Sequence, residues 1–284
     1  MKIGLRIPGA CGKEPLAEFA KWCRENGFDS IDLGNADTER VKAVRDAGLE
    51  LGTVDLPGTG KLLSPDPTER QQGIETGIQA VNAIADAGGE KAFCVFIPPS
   101  AQQSRRESFG YWKEAFAVVA AEAEKRGVRI AVEGYPGPNN SALGVAPETL
   151  RAMFDAVPTD AFGVNYDPSH LVRIGVDYVR FLHEFAPRII HAHGKDTALD
   201  AEAAYAYGNI GPSFDSVVGF GGGHWRYCIP GDGVVDWNTV LAQLQRYGFA
   251  GTIAIELEDF RYNGTVDGEK RGLIRSQEYL ASRM

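Results

Sequence analysis

Four acidic or histidine side chains, between residues 133 and 256, follow largely apolar segments of the chain. These residues are Glu133, after Ala-Val, Asp167, after Asn-Tyr, His193, after Ile-Ile-His-Ala, and Glu256, after Thr-Ile-Ala-Ile. A carboxylate at the end of a buried strand needs a counter-charge, and one divalent cation supplies it to several carboxylates at once. Three carboxylates and one imidazole favour Mn²⁺, with Mg²⁺ or Co²⁺ as alternatives, over a structural Zn²⁺ site. We therefore expect one divalent metal ion on these four residues.

Side-chain alternation along a strand separates these candidates from their neighbours. His191 and His193 are two residues apart and share a face, as do Glu256 and Glu258. His193 lies nearer the strand end, so it is the better ligand, and His191 is expected one layer below it. Each of these residues alone has an ordinary structural explanation, such as a salt bridge or a core histidine. Their occurrence at four successive strand ends favours the metal site.

The elements that position these residues alternate between strand and helix along the whole chain. Apolar runs follow helix-ending glycines, and helical stretches show the period of a buried face, as at Leu16, Phe19, Ala20 and Cys23. We predict eight strands, each followed by a helix, near residues 2–7, 29–33, 50–55, 91–97, 128–134, 161–167, 188–194 and 251–257. This pattern predicts an α/β fold with a single (β/α)8 barrel over residues 1–284. A doubly wound open sheet is the alternative, but the first strand is not followed by a GxGxxG motif.

One connection, residues 194–235, is much longer than the others. It is rich in glycine and carries Tyr205, Tyr207, Phe214, Phe220, Trp225 and Tyr227. A long loop inside a compact domain is usually functional. We predict that it is either a lid over a sugar-like ligand or a subunit contact in a homo-oligomer. A packed surface extension is the alternative.

Composition excludes several classes of partner. The 284 residues carry a net charge of −9, which disfavours broad contact with nucleic acid or anionic membranes. The N-terminus shows no apolar signal segment, and no run approaches the length of a membrane span. The four cysteines lack CxxC spacing, so we expect reduced thiols and a cytoplasmic protein.

The sequence resembles the sugar phosphate isomerase/epimerase family. These xylose isomerase-like barrels include ketose 3-epimerases, inosose-processing enzymes and 3-keto-glycoside epimerases. The resemblance covers nearly the whole chain and rests on five motifs: AVEGYP, NYDPSHL, IIHAHGKD, WRYCIPGDGVVDW and GTIAIELED. It implies the metal ligands Glu133, Asp167, His193 and Glu256, and it implies that His170 and Arg226 contact substrate oxygens. Lys195 is a further candidate for substrate binding; alternatively, it forms an ion pair with Asp196.

The resemblance also reaches barrel endonucleases that cut abasic DNA with a multi-zinc site. Those enzymes use extra histidines on earlier strands, whereas the second to fourth predicted strands end in Leu33-Gly34-Asn35, Asp55-Leu56-Pro57 and Ile97-Pro98-Pro99. Those enzymes also use an Asp-x-His pair late in the chain. Here the one histidine after His193 is His224, and the residue two positions before it is Gly222 instead of aspartate. We therefore rank a nuclease last. A non-catalytic sugar-binding subunit would keep the barrel and lose ligands, but all four ligands are present.

The reaction expected from this set of residues is proton transfer beside a carbonyl group. Glu133 and Glu256 are three strand positions apart around the ring, so they can flank a bound ketose or 3-keto-glycoside as acid and base. The resulting prediction is a metal-dependent sugar isomerase or epimerase that acts on an unphosphorylated small-molecule substrate. The same site also allows β-elimination, as in a 3-keto-glycoside lyase that cleaves a C- or O-glycoside, and the sequence does not separate these two reactions.

Overall fold

The barrel is closed by eight parallel strands. The computed structural model describes residues 1–137 and 140–284. Its strands are β1 (Lys2–Arg6), β2 (Ser30–Leu33), β3 (Glu50–Asp55), β4 (Lys91–Cys94), β5 (Arg129–Glu133), β6 (Phe162–Tyr166), β7 (Ile189–Gly194), β8 (Asp196–Leu199), β9 (Trp225–Cys228) and β10 (Thr252–Ile255). The barrel strands pair in the order β1, β10, β7, β6, β5, β4, β3, β2, and β2 pairs with β1 to close the ring, while β8 and β9 form a separate hairpin. The predicted (β/α)8 fold is confirmed.

Ten α-helices are present in the described residues, and most of them pack around the barrel. They are α1 (Leu16–Glu25), α2 (Thr38–Asp46), α3 (Pro67–Asp86), α4 (Arg105–Arg126), α5 (Pro147–Ala156), α6 (Pro168–Arg173), α7 (Tyr178–Phe185), α8 (Ala201–Tyr207), α9 (Trp237–Arg246) and α10 (Val266–Ala281). Local chemistry sets several of these bounds. Asp236 caps α9 by accepting from the Thr239 amide, and Gly127 ends α4 in the left-handed conformation with φ of 70°. No helix of the described residues is long and apolar enough to cross a membrane.

The apolar core lies between the strands and the surrounding helices. On α4, Trp112 stacks on Phe116 with ring centroids 5.0 Å apart, and both pack against Phe162 of β6. On β5, β6 and β7, every second residue points into the barrel. Among these residues, Glu133 lies opposite Asn165 on the next strand, and Asn165 lies opposite His191. The interior of this side of the barrel is therefore polar, and burial there demands hydrogen-bonded or charged partners.

The connection after β7 contains regular structure. β8 and β9 form an antiparallel hairpin in which Thr197 pairs with Tyr227 and Ala198 pairs with Arg226. α8 and a segment with exposed aromatic side chains lie between the two strands. The expected long loop is therefore corrected to a hairpin with an excursion at its tip. Its β-branched and aromatic residues Thr197, Trp225 and Tyr227 are typical of strands.

Candidate functional site

The four residues expected to bind metal lie at the carboxyl ends of four neighbouring barrel strands. Glu133 is the last residue of β5, His193 is the fifth residue of β7, and Asp167 and Glu256 directly follow β6 and β10. Asp167 also caps α6 by accepting from the Ser169 amide at 2.8 Å. One ligand atom from each of the four residues lies within 4.8 Å of the others. The structure therefore brings these four side chains to one point.

Some of the polar atoms that converge there have no hydrogen-bond partner. His193 Nδ1 is 2.8 Å from Glu133 Oε2, 3.5 Å from Glu256 Oε2 and 3.9 Å from Asp167 Oδ2. Nevertheless, His193 Nδ1 and Asp167 Oδ2 are buried and have no hydrogen-bond partner among the described residues. Buried polar atoms without partners are costly and call for an explanation, such as an ion. Three carboxylates and an imidazole that converge without hydrogen-bond geometry fit a divalent cation.

Neighbouring charges shift the pKa values of the side chains that converge at this point. Burial alone would lower the pKa of His193, but the carboxylates of Glu133 and Glu256 raise it to about 10. Burial likewise opposes ionisation of both carboxylates. His193 nevertheless holds the pKa of Glu133 below its usual range, and Lys195 together with His193 does the same for Glu256. The carboxylates of Glu133 and Glu256 therefore remain available as anionic ligands or bases at neutral pH.

Lys195 is a buried cation beside this cluster. Its ammonium contacts Glu256, lies 2.9 Å from Glu258 Oε2 and 3.3 Å from Asp167 Oδ2. These carboxylates raise its pKa although burial would lower it. The alternative pairing with Asp196 is wrong, because the Asp196 carboxylate accepts hydrogen bonds from the Gly231 and Val235 amides and the Trp237 indole.

His170 reaches the cluster from α6. Its Nε2 is 3.4 Å from Glu133 Oε1 and 3.2 Å from Lys195 Nζ, and its Nδ1 is 2.7 Å from Tyr227 Oη. The same phenol oxygen accepts from Arg173 at 3.0 Å. Sequence reasoning named Tyr227 only as an aromatic residue of the predicted lid, not as a partner of His170, and it missed Arg173. Strand alternation along β9 was the signal that could have found Tyr227.

Arg226 points away from His170. It is the neighbour of Tyr227 on β9, so its side chain leaves the opposite face of the hairpin. Its guanidinium lies 3.8 Å from Asp259 and 5.6 Å from the centre of the Phe260 ring. It lines a cavity of about 600 Å³ between the hairpin and the excursion at its tip. The expected contact of Arg226 with substrate oxygens therefore stays a prediction, and from this position Arg226 would make it in that cavity.

A second buried group lies one layer deeper in the barrel. His191 Nε2 is 3.0 Å from Asp32 Oδ2, and the same oxygen is 3.8 Å from His193 Nε2. Asp32 also accepts from the Thr53 amide at 2.7 Å. Burial would raise the pKa of Asp32, but His191 and Arg6 hold it at about 2. The ionised Asp32 carboxylate therefore lies behind the His193 ring at 3.8 Å and is hydrogen-bonded to His191 rather than to His193.

The mouth of the site has two different walls. The first wall is polar, with Arg6, Asp55 and Glu258 partly exposed at the ends of β1, β3 and β10. The second wall is aromatic, where Arg173 packs 4.4 Å above Trp225 and Tyr135 lies 5.2 Å from His170. Aromatic faces combined with a few polar groups are typical of sites for small molecules.

A family model described as "Xylose isomerase-like TIM barrel" matches residues 19–283. The chain belongs to that family. The resemblance stated from the sequence motifs is therefore confirmed. A curated relative matches almost as much of this barrel. The rhizopine catabolism protein MocC of Rhizobium meliloti is 32% identical over 263 residues, covering 89% of this chain and 77% of that protein.

Other relatives of this xylose isomerase-like barrel carry different names. Inosose dehydratase of Clostridium botulinum is 24% identical over 243 residues, 82% of this chain and 78% of that protein. The match to the uncharacterized protein YfiH of Bacillus subtilis is 30% identical over 152 residues and covers 52% of this chain and 45% of that protein. Activity and substrate therefore do not follow from the family name.

Solved structures share the fold. The 3-keto-D-glucoside 4-epimerase YcjR from E. coli aligns over 99% of both chains with a TM-score of 0.71 and 16% identity. D-psicose 3-epimerase from Clostridium cellulolyticum H10, solved with D-tagatose, aligns over 100% of this chain and 98% of its own with a TM-score of 0.72 and 15% identity. At these identities the likeness extends to the barrel alone.

Proposed function

We propose that this protein is a divalent-metal-dependent sugar isomerase or epimerase that moves a proton on the carbon beside a carbonyl. One observation carries the proposal: the ligand atoms of Glu133, Asp167, His193 and Glu256 converge within 4.8 Å at the mouth of the barrel. A ketose or a 3-keto-glycoside is the substrate class that fits a metal flanked by two carboxylates. The names of two fold neighbours, a D-psicose 3-epimerase and a 3-keto-D-glucoside 4-epimerase, agree with this class.

The four residues would hold the ion, and the chain's own groups would move the proton. A bound Mn²⁺ or a similar ion supplies Lewis-acid polarisation of the substrate carbonyl. Glu133 and Glu256 stand on β5 and β10, with β6 and β7 between them, so they approach a bound sugar from different sides. One carboxylate removes the proton from one face of the carbon, and the other, once protonated, returns a proton to the opposite face.

Different neighbours hold the two carboxylates as anions. Lys195 contacts Glu256 directly and Arg6 Nε lies 3.4 Å from it, so Glu256 is held as an anion ready to accept a proton. Glu133 faces His193 and His170 and has no lysine contact of this kind. Because the two environments differ, we expect the two carboxylates to contribute unequally to the two directions of proton transfer.

β-Elimination is the second candidate function, and the position of Lys195 favours it. In β-elimination the base takes the proton beside the carbonyl, and a proton donor assists departure of the hydroxyl or glycosidic oxygen on the next carbon by protonating it. The Lys195 ammonium touches Glu256 and lies 3.2 Å from His170 Nε2, so a cationic donor stands beside the base. A dehydratase or a 3-keto-glycoside lyase would use the same first step. A relative named inosose dehydratase agrees with this candidate.

A deuterium experiment separates the two reactions. The protein is incubated with MnCl₂ in D₂O with D-fructose, D-tagatose, scyllo-inosose and a 3-keto-glucoside, and the products are followed by NMR. Solvent deuterium at one carbon with retention of all hydroxyl and glycosidic groups supports the epimerase. Deuterium that appears only together with loss of a leaving group supports elimination. The absence of exchange with every ketone would contradict both.

Metal content tests the ligand set independently of substrate. Protein purified without chelator is expected to hold about one divalent ion per chain, and His193→Ala is expected to lose most of it. His183→Ala is the matched control, because His183 is an exposed histidine that contacts Tyr247 on the outer helices. Equal metal content in His193→Ala and the control would exclude His193 as a ligand.

A further inference from the structure

We propose that Arg6 and Asp55 form a second binding element beside the metal cluster, a subsite that recognises vicinal hydroxyl groups of an uncharged ligand. The inference deepens the proposed function, on which it rests, by naming the substrate class. It adds that the substrate carries neither a phosphate nor a carboxylate at the edge facing this pair.

The pair is built rigidly into the mouth of the barrel. Arg6 Nη2 donates to both oxygens of Asp55, at 2.9 and 3.1 Å. The Arg6 guanidinium carbon lies 4.4 Å from the centre of the Phe93 ring, and that ring is 5.2 Å from the ring of His193. Because Arg6 Nε is also 3.4 Å from Glu256 Oε1, the pair adjoins one of the four converging residues directly, and Phe93 separates it from His193.

The pair of Arg6 and Asp55 retains an unpaired hydrogen-bond donor and free acceptor positions. Arg6 Nη1 is buried and has no hydrogen-bond partner anywhere in residues 1–137 and 140–284. Asp55 keeps 35% of its side chain exposed, and each of its oxygens has a further lone pair. An unpaired guanidinium donor next to an open carboxylate acceptor matches a diol, since every hydroxyl both donates and accepts.

The local charge favours a neutral ligand over an anion. Three carboxylates act on Arg6, those of Glu256, Asp55 and Asp32, so its single positive charge is already outweighed. The next cation, Lys195, is shared between Asp167, Glu256 and Glu258. On the opposite wall, Arg173 is committed to Tyr227 and to the Gly137 carbonyl. A phosphate or carboxylate placed against Asp55 would therefore face that carboxylate with no uncommitted cation of the chain beside it.

The test measures binding without turnover. Dissociation constants of the Mn²⁺-loaded protein are measured by tryptophan fluorescence for D-fructose and D-tagatose, and for D-fructose 1-phosphate and D-fructose 6-phosphate. Wild type is expected to bind a neutral ketose more tightly than either phosphate. Asp55→Asn keeps the shape and removes one charge, so it is expected to weaken the neutral ketose about tenfold and to strengthen the phosphates. Arg6→Lys, which keeps the charge and loses the planar fork, is expected to weaken the neutral ketose about tenfold.

The control is Glu184→Gln, which breaks a similar arginine–carboxylate pair, Arg151 with Glu184, on the outer helices and should change no dissociation constant. Unchanged affinity for neutral ketoses in both Arg6→Lys and Asp55→Asn would overturn the subsite. Tighter binding of a phosphate by wild type, or no binding of any of the four sugars, would also overturn it. Arg6- and Asp55-dependent binding without deuterium exchange would instead contradict the proposed function and leave the subsite standing.

Discussion

Lys195 Nζ lies 3.2 Å from His170 Nε2, and this contact joins the buried ammonium group to the histidine ring. The other ring nitrogen, His170 Nδ1, lies 2.7 Å from Tyr227 Oη, which also accepts a hydrogen bond from Arg173. A line of polar contacts therefore runs from the carboxylates through Lys195 and His170 to the aromatic wall of the mouth.

Removal of the Lys195 charge is expected to make stability depend on metal. In Lys195→Met, the buried carboxylates of Asp167 and Glu256 lose their ammonium partner, and uncompensated buried charge costs about 3–5 kcal/mol. A divalent ion on the same carboxylates replaces part of that charge. We expect a large loss in the free energy of unfolding without metal and a smaller loss with 1 mM MnCl₂, measured by urea denaturation.

The control for this measurement is Lys125→Met on the protein surface. Lys125 is 72% exposed and pairs with Glu122 at 3.1 Å, so its loss is expected to change stability by about 0.5 kcal/mol or less. If Lys195→Met were equally destabilised with and without MnCl₂, the ammonium and the ion would not share the same carboxylates.

Metal binding is expected to release a proton from His193. In the metal-free protein the neighbouring carboxylates raise the pKa of His193 to about 10, so the ring is charged at neutral pH. A metal ligand must be neutral imidazole, so the ion competes with this proton. The Mn²⁺ affinity should then rise about tenfold per pH unit from pH 6.5 to 8.5. Titration calorimetry in two buffers of different ionisation enthalpy measures both the affinity and the number of protons released.

The same pKa shift sets the pH dependence of metal-free stability. Because the folded pKa of His193, about 10, lies above its ordinary value of 6.5, the charged ring stabilises the fold fully below pH 6.5. That contribution is lost as the pH rises towards 10.

A Mn²⁺ affinity that did not change with pH would show that His193 is not the proton-linked ligand.

The excursion at the tip of the β8–β9 hairpin is expected to control assembly and substrate access. Tyr205, Ile210 and Phe214 are almost fully exposed on it, and exposed apolar clusters of this kind commonly mark interfaces. Deletion of residues 201–220 keeps β8 and β9, so the barrel should keep its thermal transition. Sedimentation should change from an oligomer to a monomer, and KM should rise or kcat should fall. An unchanged sedimentation profile and unchanged kinetics would show that the excursion serves neither role.

Much of the barrel and its convergence point was predictable because short-range signals encode them. Gly48 and Gly127 end helices with φ near 70–78° and are followed by the buried strands β3 and β5, as expected from the sequence. Strand periodicity then assigned His193 to the site and His191 to the layer below. These inferences needed only local sequence and the rule that barrel strands present their carboxyl ends together.

The missed residues depend on contacts between distant segments. Arg6 and Asp55 are 49 positions apart, and nothing local to either indicates that β1 and β3 bring them together. The contact of Tyr227 with His170 was not predicted, because the hairpin that turns Tyr227 towards His170 forms inside a connection interpreted as a loop. The Asp196 carboxylate was available as a partner for Lys195 in sequence, but backbone amides of residues 231 and 235 occupy it.

Deuterium exchange with the two glutamine variants tests the central claim most directly. Glu133→Gln and Glu256→Gln each keep a metal-binding oxygen and remove one base, which typically costs about 10²–10⁴-fold in turnover. Each variant is loaded with Mn²⁺, its metal content is checked, and it is incubated in D₂O with each epimer of the substrate of the wild-type protein. We predict that net conversion is abolished in both variants, whereas at least one still exchanges deuterium into one epimer through the remaining carboxylate. Conversion by both metal-loaded variants at near wild-type rates would contradict the two-carboxylate mechanism.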